Sequence, residues 1–461
     1  MKHLIFLLLF HIAAIAQPIE LDMSVFGERR DRFTSRLEDG SYAIFPSKPV
    51  YLRNLDVDYE FRQESNFYYL SGFEEPESIL LLNPSAPRYK YVMFVRKRDP
   101  RRETYDGPRA GVEGAIADFR ADTVLYFSDF RSSFFRYINH GGFLYYTLGI
   151  NPETDDLIRE VCVERRSGNN CPIIDPAPIL AEMRLIKDEG DWRMGLKQAI
   201  DISAKAHIEA IKSIKPGMYE IEVQAIFESV FRKNGSPRNG YPCIIGSGPN
   251  SGILHYNKNT RKMQDGDVVL MDCGAEYGYY SADITRTVPV NGTFSKEQRQ
   301  IYEIVLEAQN AAMSIVKPGI RMSTVDSVIS GMLGKKLKEL GFIKEEKDYF
   351  LYTLHGYCHW IGLEVHDVGG YTENGSSIRL RPGMVFTIEP GIYVRPQVFD
   401  AMRERGYSNE ETDGLHRRVE RYLSIGVRIE DDVLVTEDGY ENLSAAAPRS
   451  IEQIERLMKD E

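Results

Sequence analysis

The stretches "DGDVVLMDCG" (265–274) and "PGMVFTIEPG" (382–391) align without a gap, and each carries an acid, Asp272 or Glu389, six positions after an aligned glycine, Gly266 or Gly383. Upstream the likeness continues. A helical stretch ends in "IKPG" (214–217) before the first, and another ends in "VKPG" (316–319) before the second. The second of these helices opens at Ser295 with Gln298 three residues later, a capping box. A further helix is expected after each Lys-Pro-Gly turn, and His255 and His359 lie at similar distances beyond the two turns. A helix–helix–strand unit is therefore duplicated, with an acid at the same place in each copy. That pattern predicts two α/β halves facing each other, with acids from both meeting at the junction.

The first copy continues as "LMDCGAEYGYYSADITRTVPV" (270–290), read as a hairpin of strands 268–272 and 279–288. With Tyr277-Gly278 as its two-residue loop, Asp272 stands opposite Asp283, Cβ atoms about 5 Å apart. Two carboxylates opposed on an apolar hairpin require shared protons, an arginine or divalent cations to neutralise them, and Arg286 is the nearby arginine. In the second copy Glu389 closes an apolar strand, where an unpaired charge is costly. Glu430, in "GVRIEDDVLV" (426–435), shares a strand face with Arg428, leaving Asp431 and Asp432 as expected turn-side neighbours. Between these acids, "LHGYCHWIGLEVHDVGG" (354–370) holds His355, His359 and His366, three of only nine histidines in the chain. Four acids inside strands plus a histidine suit two divalent ions. Mostly carboxylate ligands favour manganese over an all-nitrogen zinc site.

The remaining chain frames this site. Its 461 residues, 43% hydrophobic and 27% charged, suit two globular domains, and a net charge of −11 argues against a nucleic-acid partner. "SILLL", "YVMFV" and "TVLYF" suggest an N-terminal α/β domain over 17–174, and "DPAPI" (175–179) a linker into a catalytic domain over 175–461. That domain opens with one long amphipathic helix from Trp192 through Leu196, Ile200 and His207 to Ile214, with His207 a packing residue. Residues 1–16 have the basic, apolar and small-residue order of a secretory signal, so the chain is expected to be exported, periplasmic or secreted, to begin near Gln17, and to keep no membrane segment. Cys162 and Cys171 flank a polar loop and are candidates for a disulfide, whereas Cys243, Cys273 and Cys358 are expected as buried thiols. No G-x-S-x-G is present, and "GSGPNSG" (246–252) is too irregular for a dinucleotide fingerprint.

Taken together, "SGILHYNKN", "LMDCGAEYGYYSADITRTVPVNG", "HGYCHWIGLEVHDVGG", "MVFTIEPGIYV" and "GVRIEDDVLVT" resemble aminopeptidase P, a metallopeptidase of the pita-bread fold shared with prolidase and methionine aminopeptidase. "RNLDVDYEFRQESNFYYLSGFEEPES" is similar to that family's N-terminal domain. The resemblance implies an α/β (α+β) chain with an N-terminal α/β domain and a pita-bread catalytic domain of internal pseudo-twofold symmetry. It implies two divalent ions, manganese with cobalt or zinc as alternatives, held by Asp272, Asp283, His359, Glu389 and Glu430. In such a family the ions would supply a hydroxide able to attack the bond ahead of a proline in second place. On that resemblance Glu389 is the expected proton shuttle, His255 and His366 are expected to act on substrate and tetrahedral intermediate, and His355, Arg428, Tyr371 and Asp56 are expected to line the substrate site. Family members are often dimers or tetramers, so a homo-oligomer is expected. The rival readings are a prolidase and a non-catalytic binding protein on the same fold. Cys243 in "YPCIIGSG" departs from the family's usual polar residue.

Overall fold

The computed structural model describes residues 22–138, 142–163 and 172–459. The expected signal segment and Cys171, and with it the Cys162–Cys171 pairing, lie outside the described residues. Two compact units result, one running up to Gly190 with Val368–Tyr371, the other comprising Asp191–Asp367 and Thr372–Glu461. The division falls later than the 175–179 segment because the chain past it stays tied to the first unit. Arg184 donates to Asn66 (2.8 Å), and Asp188 pairs with both Arg29 (3.3 Å) and Arg32 (2.7 Å).

The first unit is built on a six-stranded mixed sheet in the order Thr123–Tyr126, Tyr91–Val95, Ile79–Leu82, Tyr42–Pro46, Leu144–Tyr145, Ile173–Ile174. Its three middle strands are antiparallel and buried along their whole length, which is why they read as unbroken apolar runs rather than as alternation. One face carries Tyr42, Ile44, Ile79, Leu81, Val92 and Phe94, alternate residues of each strand, packed on Phe130 and Phe134. A separate hairpin, Leu52–Asn54 with Val57–Asp58, is exposed throughout.

The second unit carries the duplication in its backbone. Helices Leu196–Ser213 and Glu220–Lys233 flank the first Lys-Pro-Gly turn, and Lys296–Ser314 and Met322–Glu339 flank the second. Gly217 and Gly319 have φ of 93° and 87°, and the aligned Gly266 and Gly383 have 84° and 85°, a region glycine enters freely. Each turn is fastened alike: Gly217 N–H donates to Met263 O (2.9 Å) and Gly319 N–H to Leu380 O (2.8 Å), each acceptor three residues before its aligned glycine. Strand Val268–Asp272 lies between Ile244–Ser247 and Thr285–Pro289, while Val385–Ile388 pairs with Asp431–Val435.

Four details differ from the sequence reading. The long helix is broken at Gly195 (φ 152°), so Trp192 belongs to a separate short helix, Glu189–Met194. A Cβ at Gly195 would fall 2.4 Å from Tyr277 O, so only glycine lets the helix start there. The hairpin turns at Gly278-Tyr279, both at positive φ as tight hairpins favour, and not at Tyr277-Gly278. Asp272 consequently pairs with Thr285. Because the register moves by two, Asp283 keeps the same face. His255 is not the counterpart of His359: His359 bonds to Thr387, whose aligned residue Leu270 pairs with Gly246. Finally, Asp431 and Asp432 are not turn residues but fully buried strand positions.

Candidate metal centre

The two halves join where Thr285 meets Glu430. Glu430 N–H donates to Thr285 O (3.1 Å), and the Thr285 hydroxyl donates to Glu430 Oε2 (2.6 Å). A fully buried Arg286 clamps the joint, donating to Glu430 O (2.6 Å) and Thr285 O (2.9 Å) and pairing with Asp431 (2.7 Å). The arginine that answers the Asp272 charge is therefore Arg428, not Arg286, while Asp283 faces His359 at 3.3 Å. Arg428 bonds Asp272 Oδ2 and donates to Tyr393 OH (2.9 Å) and Thr285 Oγ1 (3.1 Å).

Around this joint lies a cavity of about 290 Å³ lined by Asp272, Asp283, His359, Glu389 and Glu430 together with His255, His355, His366 and Arg428. His359 Nε2 sits 3.3 Å from Asp283, 3.4 Å from Glu389 and 3.7 Å from Glu430. Its Nδ1 is 3.1 Å from Trp360 O, a bond that orients the ring with Nε2 toward the acids. Donor atoms of Asp272, Asp283 and Glu430 lie within 4.8 Å of one another, as do those of His359, Glu389 and Glu430, and those of Asp283, His359 and His366. Three overlapping triads in one cavity can hold more than one cation.

The protons on the cluster point the same way. Burial, then the Glu430 and Asp272 charges, push Asp283 up to about 8. Burial and Glu430 likewise raise Glu389 well above the carboxylate range, and burial raises Asp272 despite Arg428. His359 would be lowered by burial, but Asp283, Glu430 and Glu389 outweigh that and hold a proton on it. Burial would raise Glu430, but the His359 bond and the Arg428 charge hold it low. Carboxylates crowded in this way lack positive charge, and a divalent ion supplies it while displacing the protons.

The other expected site residues take distinct places. His355 is held down to about 4 by burial and by Arg428, so it is neutral, and its Nε2 accepts from Tyr393 OH (2.7 Å). His366 is exposed at the cavity, its ring centroid 4.2 Å from that of His359, and His255 is exposed on the loop after residue 252. Asp56 stands exposed in the hairpin of the N-terminal unit, and Tyr371, 43% exposed, lies in the segment grouped with that unit. His207 is buried, pushed down to about 3 by burial and Arg286, and its Nε2 lies 2.9 Å from Ile284 O, a packing role. Two residues escaped the sequence reading. The Tyr241 hydroxyl lies 2.6 Å from both Asp272 and Asp283. Asp432 accepts from Asp283 N–H (3.1 Å), steadying the residue behind its carboxylate.

Comparison with known proteins accords with this geometry. The model of metallopeptidase family M24 matches residues 194–437, and that of the aminopeptidase P N-terminal domain matches 26–145. The Xaa-Pro aminopeptidase of Escherichia coli is 35% identical over 453 residues, covering 95% of this chain and 98% of that protein. The Xaa-Pro aminopeptidase of Haemophilus influenzae is 37% identical, covering 96% and 99%. The solved structure of Pseudomonas aeruginosa aminopeptidase PepP superposes with a TM-score of 0.88 at 37% identity, covering 96% of this chain and 99% of that one.

Proposed function

The chain belongs to metallopeptidase family M24 and is a metal-dependent hydrolase, and we propose that it is an exported Xaa-Pro aminopeptidase releasing the first residue of peptides with proline in second place. The observation that carries this is the convergence of Asp272, Asp283, His359, Glu389 and Glu430 from both halves on one cavity. These five would hold two divalent ions, each residue supplying a donor atom to at least one of the triads. A set of four carboxylates and one imidazole favours manganese, with cobalt or zinc as alternatives. Divalent ions in such a site polarise the scissile carbonyl and make water acidic enough to attack at neutral pH.

The chain's own residues do the rest. A peptide bond to proline has no N–H, so recognition cannot rest on that donor. The proline nitrogen must gain a proton to leave, and Glu389, a carboxylate at the cavity, would take up the proton released by the attacking water and pass it there. His255 and His366, exposed at the same cavity, orient the substrate and hydrogen-bond the developing oxyanion. Arg428, through Tyr393, fixes the His355 ring on the wall behind Glu389. The assay compares Arg-Pro-Pro, Gly-Pro and Arg-Ala-Ala with the manganese-loaded protein. Cleavage of the first supports the proposal, cleavage of the second alone makes the enzyme a prolidase, and equal cleavage of the third removes proline specificity.

Two further parts of the proposal concern the whole molecule. The N-terminal hairpin exposes Tyr51 (58%), Leu52 (67%), Leu55 (95%) and Tyr59 (60%) within ten residues, an apolar surface of the kind oligomers bury, and it supports a homo-oligomer, dimer or tetramer. Light scattering of the purified chain tests this. Export rests on the first sixteen residues, and the mass of the natural N-terminus tests it, Gln17 being expected.

A further inference from the structure

A second cavity, about 600 Å³, adjoins the first. Leu254 lines both, and Leu354, which precedes His355 of the first, lines the second. Its walls are largely apolar, Ile253 and Val394 among them, and no acid contributes to its lining. Its one cation is Arg395, which follows strand Gly391–Val394. The arginine is seated by the backbone opposite: a Cβ at Gly252 would lie 2.8 Å from Arg395 Cγ and 3.0 Å from Cδ, so the glycine makes room for the stem. Among the described residues the guanidinium has no ion pair and no hydrogen bond, and its Nε is closed off from solvent with no acceptor. Arg428, the neighbouring arginine, is by contrast committed to Asp272, Tyr393 and Thr285.

A planar donor fork set in an apolar cavity, without an acid of its own, matches a carboxylate in two-point contact. We infer that this cavity is a subsite for the peptide and that Arg395 there receives a substrate carboxylate, giving the enzyme a preference for peptides that bring negative charge beside the metal centre. The inference rests on the aminopeptidase reading and adds a specificity to it. The carboxylate has two possible sources: an acidic side chain on the first residue, or the free C-terminus of a short peptide.

The experiment uses the full mature chain loaded with manganese. Cleavage of Ala-Pro-Gly-amide, Glu-Pro-Gly-amide and Ala-Pro-Gly with a free C-terminus is measured for wild type, Arg395→Gln and Arg395→Glu. For at least one of the two carboxylate peptides, kcat/KM relative to the neutral amide should fall about tenfold in Arg395→Gln, the size of one charged hydrogen bond. It should fall further in Arg395→Glu, where like charges meet. Which peptide responds identifies the source. Ratios that are the same in all three proteins overturn the inference while leaving the aminopeptidase intact. A metal-loaded wild type that cleaves none of the three overturns the aminopeptidase reading, and this inference with it.

Discussion

Thr285 and Glu430 are joined twice, once through the backbone at 3.1 Å and once through the threonine hydroxyl at 2.6 Å, so the residue that crosses between the halves also orients a carboxylate of the metal cluster. Thr285→Val keeps the branched shape and the backbone bond and removes only the hydroxyl. Groups that hold a metal-binding side chain in place are worth about 10- to 100-fold in metal affinity. Competition with a chelator should show that loss in Thr285→Val with an unchanged circular dichroism spectrum. Wild-type affinity in the variant would mean that Glu430 is held by Arg428 and His359 alone.

The acidity of the cluster sets a pH dependence for the metal-free protein. Asp283 rises from an ordinary 3.8 to about 8 on folding, and Asp272 and Glu389 rise with it. A carboxyl raised in the folded state binds its proton more tightly there. Its contribution is therefore whole below about pH 4 and is lost as pH climbs through about 8. Glu430, which is lowered, and His207, His355 and His366, all lowered by burial, act in the opposite sense, while the raised His359 and Asp432 add to the loss. Metal-free protein should accordingly have a lower melting temperature at pH 8 than at pH 5. Manganese should raise it more at pH 8, since fewer protons must leave. A metal-free melting temperature that increases over that range contradicts this account.

Glu220 is fully buried and accepts from Ser247 N–H (2.8 Å), Ser247 Oγ (2.7 Å), Tyr256 OH (2.9 Å) and Arg261 N–H (2.8 Å). It thus ties down both ends of the loop that carries His255. Glu220→Ala strands several buried donors and should cost about 3 kcal/mol of stability. Glu220→Gln keeps part of the network and should lower kcat/KM on Xaa-Pro peptides at full metal content, because His255 is no longer held. Denaturant unfolding and steady-state kinetics on the same preparations separate the two effects. If the folded glutamine variant keeps full activity, the network stabilises the loop without placing the histidine.

How much of this was visible in the chain depended on whether the signal was local. The repeated glycines mark left-handed turns and the acids stand at fixed offsets from them, so the two halves and the pair Asp272 and Glu389 could be found by alignment, Asp283 and Glu430 by strand pattern, and His359 among the histidines only by resemblance. The hairpin register could not, because Tyr279 takes a positive φ that nothing in its side chain announces. Nor could the choice between Arg286 and Arg428 as partner of Asp272, which depends on how the halves meet. Asp431 and Asp432 looked like turn acids because adjacent charges usually face water. They are buried because Arg286 and Ser444 take up Asp431 and the Asp283 backbone binds Asp432. Tyr241 gave no sign at all, since a phenol among apolar residues reads as core.

The Arg286–Asp431 pair shows no exposure on either side chain, and Asp431 also accepts from Ser444 Oγ (2.6 Å) and Gln309 Nε2 (2.9 Å). Removing one member of such a pair leaves a buried charge without its partner, at about 3–5 kcal/mol. Asp431→Asn should therefore destabilise the protein strongly while changing no residue of the metal cluster itself. Urea unfolding should show the loss, and the surviving folded fraction should still bind manganese.

His366 lies against His359 without sharing its orientation by a backbone carbonyl, and it is exposed where His359 is not. If it acts on substrate, as proposed, its loss removes a hydrogen-bond donor to the oxyanion and leaves the four carboxylates and His359 in place. Removal of one such donor typically costs about 10² to 10³ in rate. His366→Ala should show that loss in kcat with near wild-type metal content by elemental analysis, whereas His359→Ala should lose metal and activity together. The geometry makes this a sharp comparison, because donor atoms of His366 also fall within 4.8 Å of those of Asp283 and His359. Should His366→Ala lose metal as readily as His359→Ala, His366 belongs with the ligands and the oxyanion must be met by His255.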